Sequence, residues 1–392
     1  MRDDPETDKR ETDRDELAAL DRAGMAEPAP IPLLPGLSTR GRGATLNPAV
    51  RFESLRTQAF DDGWETLETE ETPPPKTTLT RDATRSVISW NDSPDLGFDR
   101  SVNPYRGCEH GCVYCYARPT HAYLGYSPGL DFETKLVFKP EVGELLEKEL
   151  RKPGYVAQVM ALGTNTDPYQ PVERTLKLTR AVLEILEKFN HPVSIVTKSA
   201  GVLRDLDILA AMARRRLAQV YLSVTTLDPV LARKMEPRAA APTRRLQTVT
   251  ELVRAGVPTA VMVAPVIPGL NDPEVEKLVE AASRAGAREV RMILLRLPHE
   301  VRDLFTDWLH THYPDRAGHV LSLIRETRAG ALNESSFHQR FTGTGIYAEL
   351  LRKRFARAAR QWGLNTDREA LDCSQFAVPG AAKGVDRQLS LF

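Results

Sequence analysis

The sequence predicts an α/β fold: a partial (β/α)6 barrel of the TIM type, with a flexible N-terminal region and a helical C-terminal extension. Three observations carry this. From about residue 96, short β-branched apolar runs alternate with segments of helical period, the pattern of a parallel sheet joined by right-handed crossovers. The strand-like runs are apolar nearly throughout, as expected where both faces of a sheet are covered. Counting "SVNPY" (101–105) as a short first strand gives six βα units. Six units fit a partial barrel, and an open doubly wound sheet is the rival arrangement.

The elements follow in order. Residues 1–80 hold a charge-dense opening, "MRDDPETDKRETDRDEL", then "AEPAPIPLLPGLSTRGRG" and "ETPPPKTTLT". Prolines and charges break every period there, and too little apolar surface is available to offset ordering entropy, so the region is expected to be largely disordered. "LNPAVRFESL" (46–55) is the exception, a short docked segment. Strands are expected at 155–163, 192–199, 219–226, 257–267 and 288–298. Helices are expected at 173–189, 202–217, 242–256 and 273–286, the last two ending on glycine. The barrel is bounded at 81–300. Residues 301–368 read as a helical extension, and 369–392 as a flexible tail.

Composition narrows the function. Lys plus Arg and Asp plus Glu number 53 each, so the formal charge is zero. No global pull toward nucleic acid or membrane follows, and any basic surface is local. "ARKMEPRAAAPTRR" (232–245) and "LRKRFARAAR" (351–360) are two such stretches, each also readable as a solvated helix face. No apolar run is long enough to span a bilayer, and the N-terminus lacks the apolar core of a signal peptide. A cytoplasmic address is expected. In that reducing compartment clustered cysteines bind metal or do chemistry more often than they form disulfides.

In parallel α/β folds chemistry collects where strand C-termini meet the following loops. The unusual loops lie at those places: "GTNTDPYQPVE" (163–173), Thr197-Lys198-Ser199, "SVTTLDPVLARKMEPR" (223–238), "APVIPGLND" (264–272) and Arg296-Leu297-Pro298. Singly, each is an ordinary turn or a solvated strand end. Together they crowd one rim. The same rim receives Cys108, Cys112 and Cys115, three of the chain's four cysteines, spaced C-x3-C-x2-C. A structural zinc would need four closed ligands, the fourth drawn from His110, His121 or Cys373. A [4Fe–4S] cluster normally takes four thiolates, so three would leave one iron open to a small molecule. The second reading fits a loop beside a polar rim better.

C-x3-C-x2-C with an aromatic before the last cysteine, here Tyr114, resembles the signature of the radical S-adenosylmethionine (radical SAM) superfamily. "SVNPYRGCEHGCVYCYARPTHAYLG", "ALGTNTDPYQPVE", "VTKS" and "APVIPGLND" resemble its bacterial subgroup related to spore photoproduct lyase, the DNA repair photolyase-like proteins. The resemblance spans residues 85–300. It implies a [4Fe–4S] cluster on Cys108, Cys112 and Cys115, with SAM chelating the open iron. An electron from an external donor would cleave SAM, and the 5′-deoxyadenosyl radical would abstract hydrogen from the substrate. It also implies SAM contacts from Tyr114, Asn165, Thr166, Asp167, Lys198, Ser223, Glu236 and Arg238. No residue is assigned a catalytic role. The lyases use a further barrel cysteine as hydrogen donor, whereas this chain has none between Cys115 and Cys373. A nucleic-acid substrate is the leading expectation. A protein or small-metabolite substrate is the alternative, and a non-catalytic zinc-stabilised module the alternative from another class. The last residues, "RQLSLF", follow a small-residue tether. Gln388, Leu389, Leu391 and Phe392 resemble the peptide by which bacterial repair proteins dock on the DNA sliding clamp.

Overall fold

The computed structural model describes residues 41–52, 75–367 and 369–380. Its strands are β1 (Thr78–Arg81), β2 (Ile88–Trp90), β3 (Arg100–Val102), β4 (Tyr105–Arg106), β5 (Lys135–Phe138), β6 (Met160–Leu162), β7 (Val193–Thr197), β8 (Ala218–Ser223), β9 (Thr259–Val266) and β10 (Glu289–Leu294). The main sheet runs in the order β10-β9-β8-β7-β6-β3-β2. From β3 to β10 every pair is parallel, with Arg100 opposite Met160, Met160 opposite Val193, and Val193 opposite Ala218. Spatial order follows chain order without reversal. That is the winding of a barrel, since a doubly wound sheet reverses at a switch point. β10 does not pair with β3, so the barrel is partial, and β2 adds an antiparallel edge beside β3.

Burial explains the strand positions. Leu162, Ile195 and Val220 point from β6, β7 and β8 into one core, which the helix Leu178–Lys188 closes with Leu178, Val182, Leu183 and Leu186. The sequence read one helix over 173–189. The structure breaks it at Lys177, which has φ +53° between the turn Glu173–Leu176 and the longer helix. The cause is the Glu173 carboxylate, which accepts from the Leu178 and Thr179 N–H groups at 3.0 and 3.1 Å and starts a second helix there. The strand expected over 155–163 shrinks to Met160–Leu162. The residues before it are held by side chains instead: Arg100 Nη1 donates to the Val156 carbonyl at 2.5 Å, and the Tyr155 hydroxyl meets His191 Nε2 at 2.8 Å.

Other differences place the site. Thr78–Thr80 lay in the stretch read as disordered, yet β1 pairs with β5, which pairs with β4 in a small second sheet. Residues 43–48 pack against the body, and Ala44 and Leu46 meet Leu304. The region after residue 300 divides in two. Helices Val301–His312 and Pro314–Glu326 share a core with Cys112, Val113 and Tyr114 and so cover the cysteine loop. Helix Gly345–Gln361 packs Ala348, Leu351 and Ala358 against Val275 and Leu278 and serves as the helix that follows β10. Of the tail read as flexible, residues 369–380 dock. The Asp372 N–H donates to Arg216, the Ala377 N–H donates to Phe189, and Phe376 packs beside Tyr155, Phe189 and His191. Gln388, Leu389, Leu391 and Phe392 lie outside the described residues, as does most of the region 1–80.

Candidate active site

The cysteine loop leaves β4 at Gly107, with φ +79°, and is held at several points. The Cys108 N–H donates to the Phe132 carbonyl at 2.9 Å, and the Val113 N–H to Met235 at 3.1 Å. The side chain of Gln170, on the loop after β6, accepts from the Glu109 N–H at 2.8 Å and donates to the Gly107 carbonyl at 3.2 Å. Beneath the loop lies the fully buried Arg118–Glu133 pair. Arg118 Nε donates to the Cys112 carbonyl at 2.9 Å. Glu133 accepts from the Gly43 and Ala44 N–H groups at 2.9 and 2.8 Å, tying the N-terminal strap to the loop. The approach is close enough to require glycine, because a Cβ at Gly43 would come within 1.7 Å of the Gly111 carbonyl oxygen.

Cys108 and Cys112 are buried, and all three loop cysteines are free thiols. Burial pushes the Cys108 thiol well up, and Asp167 and the two neighbouring cysteines push it further. Burial also raises the Cys112 thiol, while the Lys198 charge acts to lower it. Cys373 lies at the other end of the sheet, near Gln158 and Arg216, which precede β6 and β8. His110 is committed to Asp167, its Nδ1 3.3 Å from Oδ2, and His121 is enclosed by Tyr126 and Phe132. The fourth ligand that structural zinc needs is therefore not assembled at the loop. Among the described residues no set of three His, Cys, Asp or Glu converges as for a single ion. Three thiols on one loop, two of them buried, instead fit an iron–sulfur cluster.

The sequence-predicted residues separate into two groups. Asp167 is enclosed: it accepts from Thr197 Oγ1 at 2.7 Å, the Lys198 N–H at 2.8 Å and the Tyr169 N–H at 2.9 Å. Burial raises its carboxyl, but the His110 ring and these donors outweigh that and hold it at about 2. The Thr166 hydroxyl donates to the Tyr105 carbonyl at 3.1 Å. Glu236 is fully buried and paired with Arg245, and it also accepts from Tyr114 and from Thr225, the latter at 2.6 Å. Arg238 pairs with Glu109 at 3.1 Å rather than with Glu236. These groups brace the rim. Lys198, Ser223 and Asn165 are different. The half-buried Lys198 ammonium lies 5.7 Å from the Tyr114 ring centroid and has no carboxylate partner among the described residues. The Ser223 hydroxyl and the Asn165 side-chain amide make no hydrogen bond among the described residues. Sequence reasoning missed Arg118, Glu133 and Arg245. Arg118 is only six residues from the Cys112 carbonyl it holds and Arg245 nine from Glu236, but no motif spacing marks them. A cavity of about 430 Å³ beside Asn91, Phe98 and Gln158 sits at the N-terminal ends of the strands, away from this rim.

An open parallel barrel with three thiols on the loop after its first strands defines an enzyme class, one that uses an iron–sulfur cluster with SAM. Residues 102–282 match the family model of the radical SAM superfamily. An uncharacterized protein of Mycobacterium tuberculosis is 37% identical over 274 residues, covering 69% of this chain and 77% of that one. The radical SAM Nalpha-GlyT isomerase of Pseudomonas phage M6 is 23% identical over 234 residues, 59% of this chain and 46% of that one. Spore photoproduct lyase complexed with dinucleoside spore photoproduct superposes with a TM-score of 0.53 at 16% identity, covering 73% of this chain and 80% of that one, and so shares its fold. The chain belongs to the radical SAM superfamily.

Proposed function

We propose that Cys108, Cys112 and Cys115 hold a [4Fe–4S] cluster and that the enzyme acts with SAM on nucleic acid, in repair or base modification. One observation carries the cofactor assignment. Among the described residues the half-buried Lys198 ammonium has no anionic partner, and it stands over Tyr114, within electrostatic reach of Cys112. A SAM carboxylate would supply the missing charge. When bound, cluster and SAM supply reductive cleavage of the sulfonium and hydrogen-atom abstraction.

The chain's own residues do the rest. Lys198 and the Ser223 hydroxyl would hold the carboxylate end of SAM, and Asn165 would offer an amide oxygen to its amino group. Asp167 fixes the Lys198 backbone and holds the ring of His110, which lies within the cysteine loop. It is a positioning residue rather than a SAM contact, as Thr166, Glu236 and Arg238 are. Helix Val301–His312 and the strap at Gly43 cover the loop and keep water from it. The nucleic-acid part draws support from the fold shared with spore photoproduct lyase, seen complexed with a dinucleoside spore photoproduct.

Iron and sulfide analysis of anaerobically purified protein tests the cluster. Alanine at Cys108, Cys112 or Cys115 should remove iron, and Cys373→Ala should not. Loss of iron in Cys373→Ala would restore a four-ligand site and remove the open iron. Anaerobic turnover with dithionite, SAM and ultraviolet-damaged or undamaged DNA tests the substrate. SAM cleavage indifferent to DNA would favour a protein or metabolite substrate.

A further inference from the structure

Arg296 leaves the sheet just past β10, where the neighbouring Leu295 N–H still donates to Val266 at 2.9 Å. Its guanidinium carbon lies 5.2 Å from the Phe341 ring centroid, and Arg340 stacks on the same ring at 4.8 Å. Arg328, 1% exposed, lies in the same group and donates to the carbonyls of Leu294, Leu295, Gln339 and Arg340. Arg340 is neutralised by Asp95 at 2.7 Å. Glu334 acts on Arg328 but receives the Ser336 N–H at 2.7 Å. Arg296 has no ion pair and no hydrogen bond among the described residues, and its buried Nε has no partner. Within electrostatic reach are Asp95, already paired with Arg340, and Tyr116, the residue after Cys115, whose hydroxyl donates to the Thr164 carbonyl.

A half-buried guanidinium beside two others, with one of them neutralised, is unfavourable unless an anion completes the group. Burial and the Arg340 charge both lower its pKa, in keeping with this crowding. The planar fork of Arg suits a phosphate bidentately. Beside it Phe337, 44% exposed, stacks under Arg340 at 4.8 Å and offers a free aromatic face. Cation and open aromatic together are how proteins grip a single strand.

We propose that Arg296 binds a phosphodiester of a nucleic-acid strand at the substrate end of the rim, with Tyr116 between that phosphate and the cysteine loop. The inference rests on the nucleic-acid reading above.

The test is anisotropy of a short fluorescent oligothymidylate with the reconstituted enzyme across a salt series. Arg296→Gln should weaken binding about tenfold and reduce the slope of log K against log salt by about 0.7, the share of one single-strand phosphate. Arg296→Lys, which keeps the charge, should keep the slope. Equal affinity and slope for wild type and Arg296→Gln would overturn the inference while leaving the nucleic-acid reading intact. If the glutamine variant is too unstable to measure, an altered slope in Arg296→Lys overturns it equally. Failure of the wild type to bind any strand would instead overturn that reading, and this inference with it. Competition by dTMP or inorganic phosphate as strong as by the strand, and lost in Arg296→Gln, would keep the phosphate site and overturn the strand as its source.

Discussion

Glu133→Gln isolates the support beneath the cysteine loop. Glu133 and Arg118 are both fully buried. Oε1 accepts from Arg118 Nη2 at 2.5 Å and from the Ala44 N–H at 2.8 Å, and Oε2 accepts from the Gly43 N–H at 2.9 Å. Glutamine has the same shape but turns one acceptor into a donor. Whichever way the amide faces, a donor meets a donor, and the Arg118 charge loses its counter-ion. Breaking a buried pair in this way costs about 3–5 kcal/mol. Arg118 keeps the carbonyls of Cys112, Pro128 and Gly129, so the low end, about 3 kcal/mol, is expected. Chemical denaturation of anaerobically purified protein reads the stability. Limited proteolysis near Gly43 reads release of the strap, and iron content should fall because Arg118 holds the Cys112 carbonyl. A change below about 1 kcal/mol with full iron would refute the claim that this pair supports the loop.

Lys198→Ala should weaken SAM binding by about ten- to a hundredfold while iron stays normal, since a charge-assisted bond is worth about 1.5–3 kcal/mol. Calorimetry measures it, and unchanged affinity would remove Lys198 from the site. Asp167 has its folded pKa depressed to about 2, so its contribution is present above the unfolded carboxyl range and is lost as pH falls toward 2. Asp167→Asn should therefore flatten the acid limb of stability against pH, and an unaltered limb would contradict the assigned bonds. Deleting residues 388–392 should abolish pull-down by the sliding clamp, with SAM cleavage retained. Equal capture of both chains would end the clamp proposal.

The periodic runs after residue 96 determined the six parallel strands and their chain order, because burial on both faces leaves an almost continuous apolar signature. The spacing of Cys108, Cys112 and Cys115 pointed to the proposed cofactor class, because three thiols within eight residues share one loop, although contacts from Phe132, Gln170 and Arg118 hold that loop in place. The helix break at Lys177 was not legible, since it follows from where the Glu173 carboxylate lands rather than from local propensity. Nor could the sequence sort the rim residues. Asp167, Glu236 and Arg238 have the same composition whether they touch a ligand or brace a loop, and only the tertiary structure gives them the partners Lys198 N–H, Arg245 and Glu109. Arg118 with Glu133, and Arg296 with Phe341, meet across the fold. Whether a charge is neutralised or left seeking a counter-charge depends on distances that the chain acquires only when it closes.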